Sequence, residues 1–434
     1  MISTIRLNDA SKVLLALLSS IMILGGCATP GQETEKPRII VSSDIGGTDP
    51  DDFQSMIHLL MYADLFHIEG LISSPFGEGR MTDILDMIDL YEEDFEKLSA
   101  HSGDFPEPEV LRKICKQGSK TEAPYQGFST PTEGSEWIIQ CAKKESDQPL
   151  WILVWGGIED LAQALHDAPD IKEKIRVYWI GGPNKKWSVN AYAYIAGNHP
   201  DLWMIEANAT YRGWFIDSDS PEDISNDHYY DNHIRGRGAL GKAFKNYYNG
   251  SIKMGDTPSL AYLMNGDPDQ PTGDSWGGSF TRIDRSARYL FEGNSSLIDT
   301  VEAYAVMEWR WSGPALDIPA DSSCFTMEIS SQQWRGYYLG DGIYGVRYSS
   351  KTPETGSYVT SSKIPELDGL SGQFVSIAPW PGKSGKDDFM LGGTWFTDRP
   401  DPQLFMGVQQ GALSVAKFRR EFLSDWTERW EWLD

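Results

Sequence analysis

Five short apolar runs, each broken by small, polar or acidic residues and the first three followed by apolar residues at helical spacing, constrain this chain more than any other feature. They are Ile39 to Val41, His67 to Ser74, Pro149 to Trp155, Arg176 to Ile180 and Leu202 to Ala207. The clearest, Pro-Leu-Trp-Ile-Leu-Val-Trp, is apolar on successive positions, which predicts a strand buried on both faces. The opening order of strand, helix, strand, helix predicts a parallel sheet with right-handed crossovers. The expected fold class is therefore α/β, an open and mostly parallel sheet with helices on both faces. From Ser296 to Pro400 the texture changes. Runs such as Phe325 to Ile329, Tyr344 to Tyr348, Tyr358 to Ser362 and Gln373 to Ile377 alternate with turn residues, which predicts a β-rich elaboration. Helical patterning is also expected over His228 to Lys245, and again over Gly411 to Leu433, with Phe418, Phe422, Trp426 and Trp430 on one side.

The first residues read as a targeting segment. Arg6 and Lys12 precede an apolar run from Val13 to Leu24, too short for a comfortable membrane span, and Leu24-Gly25-Gly26-Cys27 follows. This tetrapeptide resembles a bacterial lipobox, which implies cleavage before Cys27 and lipidation of its thiol. The expected organisation is a lipoprotein leader over 1–26, a polar tether over 27–37, an α/β core over 38–295, the β-rich elaboration over 296–400 and a helical segment over 401–434. A lipid-anchored place in the cell envelope follows. The formal charge of −25 opposes nucleic-acid phosphates and anionic lipid and points to a neutral substrate. With Cys27 acylated, Cys115, Cys141 and Cys324 remain, and their spacing selects neither a zinc site nor a particular bridge.

Ligand sites in open α/β sheets lie at the carboxyl ends of strands, so the breaks after the runs carry the functional reading. The first break is Ser-Ser-Asp-Ile-Gly-Gly-Thr-Asp-Pro-Asp-Asp, with Asp44, Asp49, Asp51 and Asp52 close together. Crowded carboxylates repel, and a hard cation bound through oxygen holds such a group. Asp51 and Asp52 equally suit the dipole of the helix that follows. The Trp155 run and the Ile180 run both stop at Gly-Gly, where backbone can approach a ligand closely. Asp256, in Met-Gly-Asp-Thr-Pro-Ser, again stands ahead of a helical pattern and also reads as an ordinary N-cap. Sixteen tryptophans fit both a large core and ring-stacking contacts.

The order of these breaks resembles that of the nucleoside hydrolases. Asp-Pro-Asp-Asp, Asn-Ala-Thr-Tyr-Arg-Gly, Gly-Asp-Thr-Pro-Ser and Ser-Trp-Gly-Gly, with the terminal Lys417-Phe418-Arg419-Arg420-Glu421-Phe422 helix, look like the bacterial branch that includes cellulose-binding proteins. The resemblance implies a Ca²⁺ at the sheet edge that holds a sugar diol and a water. By motif, Asp44 would ligate the ion and act as base, Asp52, Asp256 and the Trp155 carbonyl would complete the ligand set, and Asp51 would hold a sugar hydroxyl. Asn184, Asn190 and Asn208 would meet further hydroxyls, and Trp187, Trp214 and Trp276 would stack on a ring. The implied activity is hydrolysis of an N- or O-glycosidic bond in a small sugar derivative. A noncatalytic binder of cellulose-like polysaccharide is the alternative. Three departures stand out: the first loop is two residues longer than usual, Ser42 replaces an additional Asp, and Gly255 stands where many members carry a His that protonates the leaving base. His228, His233 and Glu206 are the substitute acids the sequence offers.

Overall fold

Sixteen strands among the described residues form two sheets. The chain runs through β1 (Arg38–Ser43), β2 (His67–Ser73), β3 (Cys115–Gln117), β4 (Leu150–Val154), β5 (Ile175–Ile180), β6 (Trp203–Ala207) and β7 (Phe280–Ser286). It continues through β8 (Arg288–Glu292), β9 (Thr300–Glu302), β10 (Val306–Ser312), β11 (Ser322–Ile329) and β12 (Gln332–Gly340). The last four strands are β13 (Ile343–Tyr348), β14 (Glu354–Ser362), β15 (Ser371–Ile377) and β16 (Phe389–Asp398). This computed structural model describes residues 35–74, 77, 79–218 and 220–434. The leader, Cys27 and the tether up to residue 34 lie outside the described residues. No helix among the described residues is long and apolar enough to cross a membrane.

The first sheet has the order β3-β2-β1-β4-β5-β6-β16-β7. All neighbours are parallel except β16 and β7, which pair antiparallel. Both faces are buried, as the unbroken apolar runs require. Ile39 and Val41 enter one core with Trp151 and Leu153, whereas Ile40 enters the other with Ile152 and Val154. The helices Asp51–Met61, Met81–His101 and Arg419–Glu431 cover the first face, and Glu159–Asp167 and Val189–Asn198 cover the second. Phe422, Trp426 and Trp430 all point into the first core, so the terminal helix packs as its spacing predicts.

The second sheet has the order β8-β10-β13-β12-β11-β14-β15-β9 and is antiparallel apart from the β8-β10 and β9-β15 pairs. Its strands come from residues 288–377, so it begins ahead of residue 296. β16, inside the stretch read as β-rich elaboration, returns to the first sheet instead. The helix expected over His228 to Lys245 is broken. Gly236 and Gly238 take φ of +86° and +59°, and a wide helical turn at Tyr230–Ile234 gives way to a separate helix at Gly238–Phe244. That second helix starts on Asp94, whose carboxylate accepts the Ala239 and Leu240 N–H groups at 2.8 and 2.9 Å. Among the described residues Cys115, Cys141 and Cys324 are free thiols.

Candidate functional site

The carboxyl ends of β1 and β4 bring the first aspartates together. Asp44 leaves β1 into a tight turn closed by Gly47 N–H on its carbonyl at 2.9 Å. Its side chain lies against the Gly156 backbone, where an added Cβ would come within 2.6 Å of Asp44 Cβ. The first glycine after β4 is thus the space Asp44 occupies. Ser43 Oγ donates to the Asp52 carboxylate at 2.5 Å and accepts Ile45 N–H at 3.0 Å. Asp256 arrives from a distant loop and faces Ser55 Oγ at 3.4 Å. The Trp155 indole donates to Ser259 Oγ at 2.8 Å, and that hydroxyl donates to the Asp256 carbonyl at 2.8 Å. One chain of hydrogen bonds therefore ties the end of β4 to the Asp256 turn.

Asp51 and Asp52 stand in the first turn of their helix, where they suit its dipole, and neither caps it through a side chain. The helix Asp51–Met61 has Pro50 at its N-cap with no side-chain bond, and Asp256 precedes its helix without capping it through the carboxylate. Carboxylate oxygens of Asp51, Asp52 and Asp256 instead lie within 4.8 Å of one another. Asp52 and Asp256 are buried, at 3% and 4% exposure. Burial pushes the Asp44 carboxyl up to about 6 against the pull of its hydrogen bond with Asp52. Burial and the charge of Asp49 push Asp51 up to about 7. Burial first, and then their acidic neighbours, hold Asp52 and Asp256 well above the usual carboxylate range. Such a group shares protons unless a cation neutralises it. The donors are all oxygen, with no His or Cys in the cluster, which fits a hard cation that takes ~6–8 oxygen ligands.

Above the cluster lies a cavity of about 760 Å³. Asp44, Asp51, Asp52, Asp256, Trp155, Asn184 and Asn190 all line it. The side-chain amide of Asn184 donates to the carbonyls of Trp155 at 2.6 Å and Ile180 at 2.9 Å, so it fixes the β4 and β5 ends relative to each other. Its hold on the Trp155 carbonyl uses one of two lone pairs. Asn190 donates to the Ala123 carbonyl at 3.1 Å, and its Oδ1 has no hydrogen-bond partner among the described residues.

Asn208 and Trp214 do not reach the cavity. Asn208 is 1% exposed; its Oδ1 accepts Gly182 N–H at 3.1 Å and its Nδ2 donates to Glu206 at 2.7 Å. Trp214 is stacked on Phe422 at 3.7 Å in the first core. Trp276 is outside the walls as well. Among the substitute acids, Glu206 is held by Lys185 at 2.8 Å and Tyr192 at 2.6 Å, while His228 and His233 sit on the surface. None of the three lines the cavity. At position 255 a Cβ would come within 2.4 Å of Asp51 Oδ2, so the glycine leaves room for the Asp51 carboxylate.

The second sheet supplies a wall that the sequence reading missed. Gln332, Gln333, Trp334, Arg335 and Tyr337 of β12 line the cavity, with Arg347 of β13 beside them. Trp334 stacks on Trp187 with ring centroids 5.5 Å apart and planes 7° apart. The β11-β12 turn holds Ser330 and Ser331 at φ of 51° and 61°. Paired left-handed residues mark this kind of hairpin, but Asn-Gly is its usual signal, and Ser-Ser concealed it. Glu308 anchors the wall from 0% exposure, with Arg288 at 2.9 Å, Arg310 at 2.6 Å and Arg347 at 2.9 Å. Burial would raise this carboxyl, but Arg347, Tyr125 and Arg288 outweigh it and bring it down to about 2. Arg347 also donates to the Tyr125 carbonyl at 2.6 Å and lies 3.7 Å over its ring, joining the second sheet to the loop after β3.

Residues 38–280 match the family described as cellulose-binding Sde182, nucleoside hydrolase-like domain. Residues 300–363 match a domain of unknown function, DUF5060. Curated protein sequences give no match. Among solved structures, one similar chain is a nucleoside hydrolase-related hypothetical protein from Saccharophagus degradans associated with carbohydrate metabolism. It is 18% identical over 79% of this chain and 99% of that one, with a TM-score of 0.49. An inosine-uridine preferring nucleoside hydrolase from Bacillus anthracis is 17% identical over 58% and 86%, with a TM-score of 0.36. A plant nucleoside hydrolase is 12% identical over 89% and 99%, with a TM-score of 0.37. Since the matched residues 38–280 are more than half of the chain, it belongs to the family of cellulose-binding Sde182, nucleoside hydrolase-like domains.

Proposed function

We propose that this protein is a Ca²⁺-dependent hydrolase of an N- or O-glycosidic bond in a small sugar derivative, tethered to the bacterial cell envelope through an acylated Cys27. The observation that carries the reading is the meeting of Asp44, Asp51, Asp52 and Asp256 on the floor of one cavity. Asp52 and Asp256, with Asp44 and the free lone pair of the Trp155 carbonyl, would hold the ion. A bound Ca²⁺ would supply a template for a sugar diol and a lowered pKa for the attacking water. Asp44 would accept that water's proton as general base. The remaining negative charge of the cluster favours an oxocarbenium-like sugar in the transition state. Asp51 orients a hydroxyl, and the Trp187 and Trp334 rings offer an apolar face to the leaving group.

Elemental analysis of the purified protein, with turnover of nucleosides and aryl glycosides by wild type, Asp44→Ala and Asp256→Ala, tests the proposal. Bound Ca²⁺ and activity lost in both variants support it. Wild-type metal content and turnover in both would sink it. A second reading, noncatalytic binding of a cellulose-like polysaccharide, is favoured by the family's description and by Gly255 in place of an acid. Retention on cellulose without turnover of any glycoside would select it.

A further inference from the structure

The cavity gathers as many cations as carboxylates, although the chain as a whole is strongly acidic. Lys186, Arg212, Lys253, Arg335, Arg347 and Lys351 line it, in a protein of formal charge −25. Three of these cations are answered locally. Lys253 pairs with Asp49 at 3.3 Å, Arg335 with Glu122 at 3.1 Å and Arg347 with Glu308 at 2.9 Å. Lys186, Arg212 and Lys351 form no ion pair with a carboxylate among the described residues.

Adjacent lysines show the contrast. Lys185 is 2% exposed and its ammonium sits on Glu206 at 2.8 Å, the arrangement a buried charge requires. Lys186 is 5% exposed, yet its ammonium meets only the neutral Gln332 oxygen and three ring faces, Trp334 at 4.9 Å, Trp187 at 5.1 Å and Tyr348 at 5.6 Å. Burial holds this ammonium below its usual range, the nearby Lys351 adds repulsion, and Glu354, which already accepts the Tyr348 hydroxyl at 2.8 Å, offsets only part of this. Arg212 is half-buried, and its Nε, which is enclosed, has no hydrogen-bond partner among the described residues. A buried cation without a counter-charge is costly, and an anion from the ligand removes that cost.

We infer that the cavity takes a sugar carrying an anionic oxygen group, a carboxylate, sulfate or phosphate, which Lys186, Arg212 and Lys351 receive beside the stacked Trp187 and Trp334. This replaces the neutral substrate that overall charge points to, and it rests on the proposed function in taking the same cavity as the sugar site. The aspartate floor would meet the sugar hydroxyls while the basic wall reads the substituent.

Calorimetric titration of the full chain with Ca²⁺ present tests the inference. The probes are the neutral disaccharide cellobiose and its 6-carboxyl, 6-sulfate and 6-phosphate counterparts. At least one anionic probe is expected to bind about tenfold or more tighter than cellobiose, the worth of one charge-assisted hydrogen bond. Lys186→Met and the exposed Lys351→Met should each remove most of that preference, and added salt should weaken it. The rank among the three probes identifies the group. Equal affinity for neutral and anionic sugars, no binding of any anionic probe, or a preference unchanged in both variants would overturn the inference. Because binding is read directly, absence of turnover or metal would count against the hydrolase reading alone, and a preference lost in Lys351→Met would still support the anionic group.

Discussion

Gly156→Ala isolates the role of Asp44 without touching a carboxylate. The added Cβ would lie 2.6 Å from Asp44 Cβ and Cγ and 2.8 Å from its Oδ1. These atoms belong to the stem of a short side chain next to the backbone, so the loop after β1 must move. Overpacking of this kind costs about 1–3 kcal/mol. With an unfolding entropy of ~2.1 cal/mol/K per residue over roughly 400 residues, that cost lowers Tm by about 1–4 °C. The effect on function should be far larger, since displacement of a reacting group by ~1 Å reduces turnover about a hundredfold. Scanning fluorimetry, Ca²⁺ titration and glycoside turnover measure the three quantities. Gly103→Ala, where the added carbon has open space, is the control. If Gly156→Ala melts within that window yet binds Ca²⁺ and turns over substrate like wild type, Asp44 does not do the chemistry assigned to it.

Ser43→Ala removes the 2.5 Å hydrogen bond that orients Asp52, and a loss of about 10–100-fold in Ca²⁺ affinity is expected by calorimetry, with little change in fold. The carboxyls raised from 3.8 to about 6 at Asp44 and about 7 at Asp51 bind more protons folded than unfolded, so their stabilisation is complete below pH 3.8 and is lost as pH rises through 6 to 7. Chelator-treated protein should therefore lose Tm across that window, Ca²⁺ should raise Tm more at pH 7.5 than at pH 5, and Asp52→Asn should flatten the difference. Thermal melts over a pH series check all three. Glu308→Gln leaves Arg288, Arg310 and Arg347 without their buried partner, and a loss of about 3–5 kcal/mol is expected in denaturant unfolding.

The first sheet was largely legible because unbroken apolar runs and glycine pairs record the burial of both faces. The meeting of Asp51, Asp52 and Asp256 was legible because the loops that follow parallel strands open on one edge of the sheet. Asn208 and Trp214 were misplaced for a shared reason. Proximity to a strand end does not say on which side of the turn a side chain falls, and Asp398 turns this segment inward by accepting the N–H groups of Asn208, Ala209 and Thr210 at 3.1, 2.9 and 3.0 Å. The wall from β12 was invisible because its contact with Trp187 is set by the packing of distant segments, and no local pattern encodes it.

The insertion of β16 between β6 and β7 bears on how such a chain can be made and divided. Trp395, Phe396 and Thr397 pair with Met204, Ile205 and Glu206, so the edge of β6 stays open until nearly the whole polypeptide has emerged. An open parallel edge is a template for aggregation, and contacts this far apart in sequence form late. Cutting the gene at the end of the matched family segment would therefore yield an exposed strand rather than a portable module.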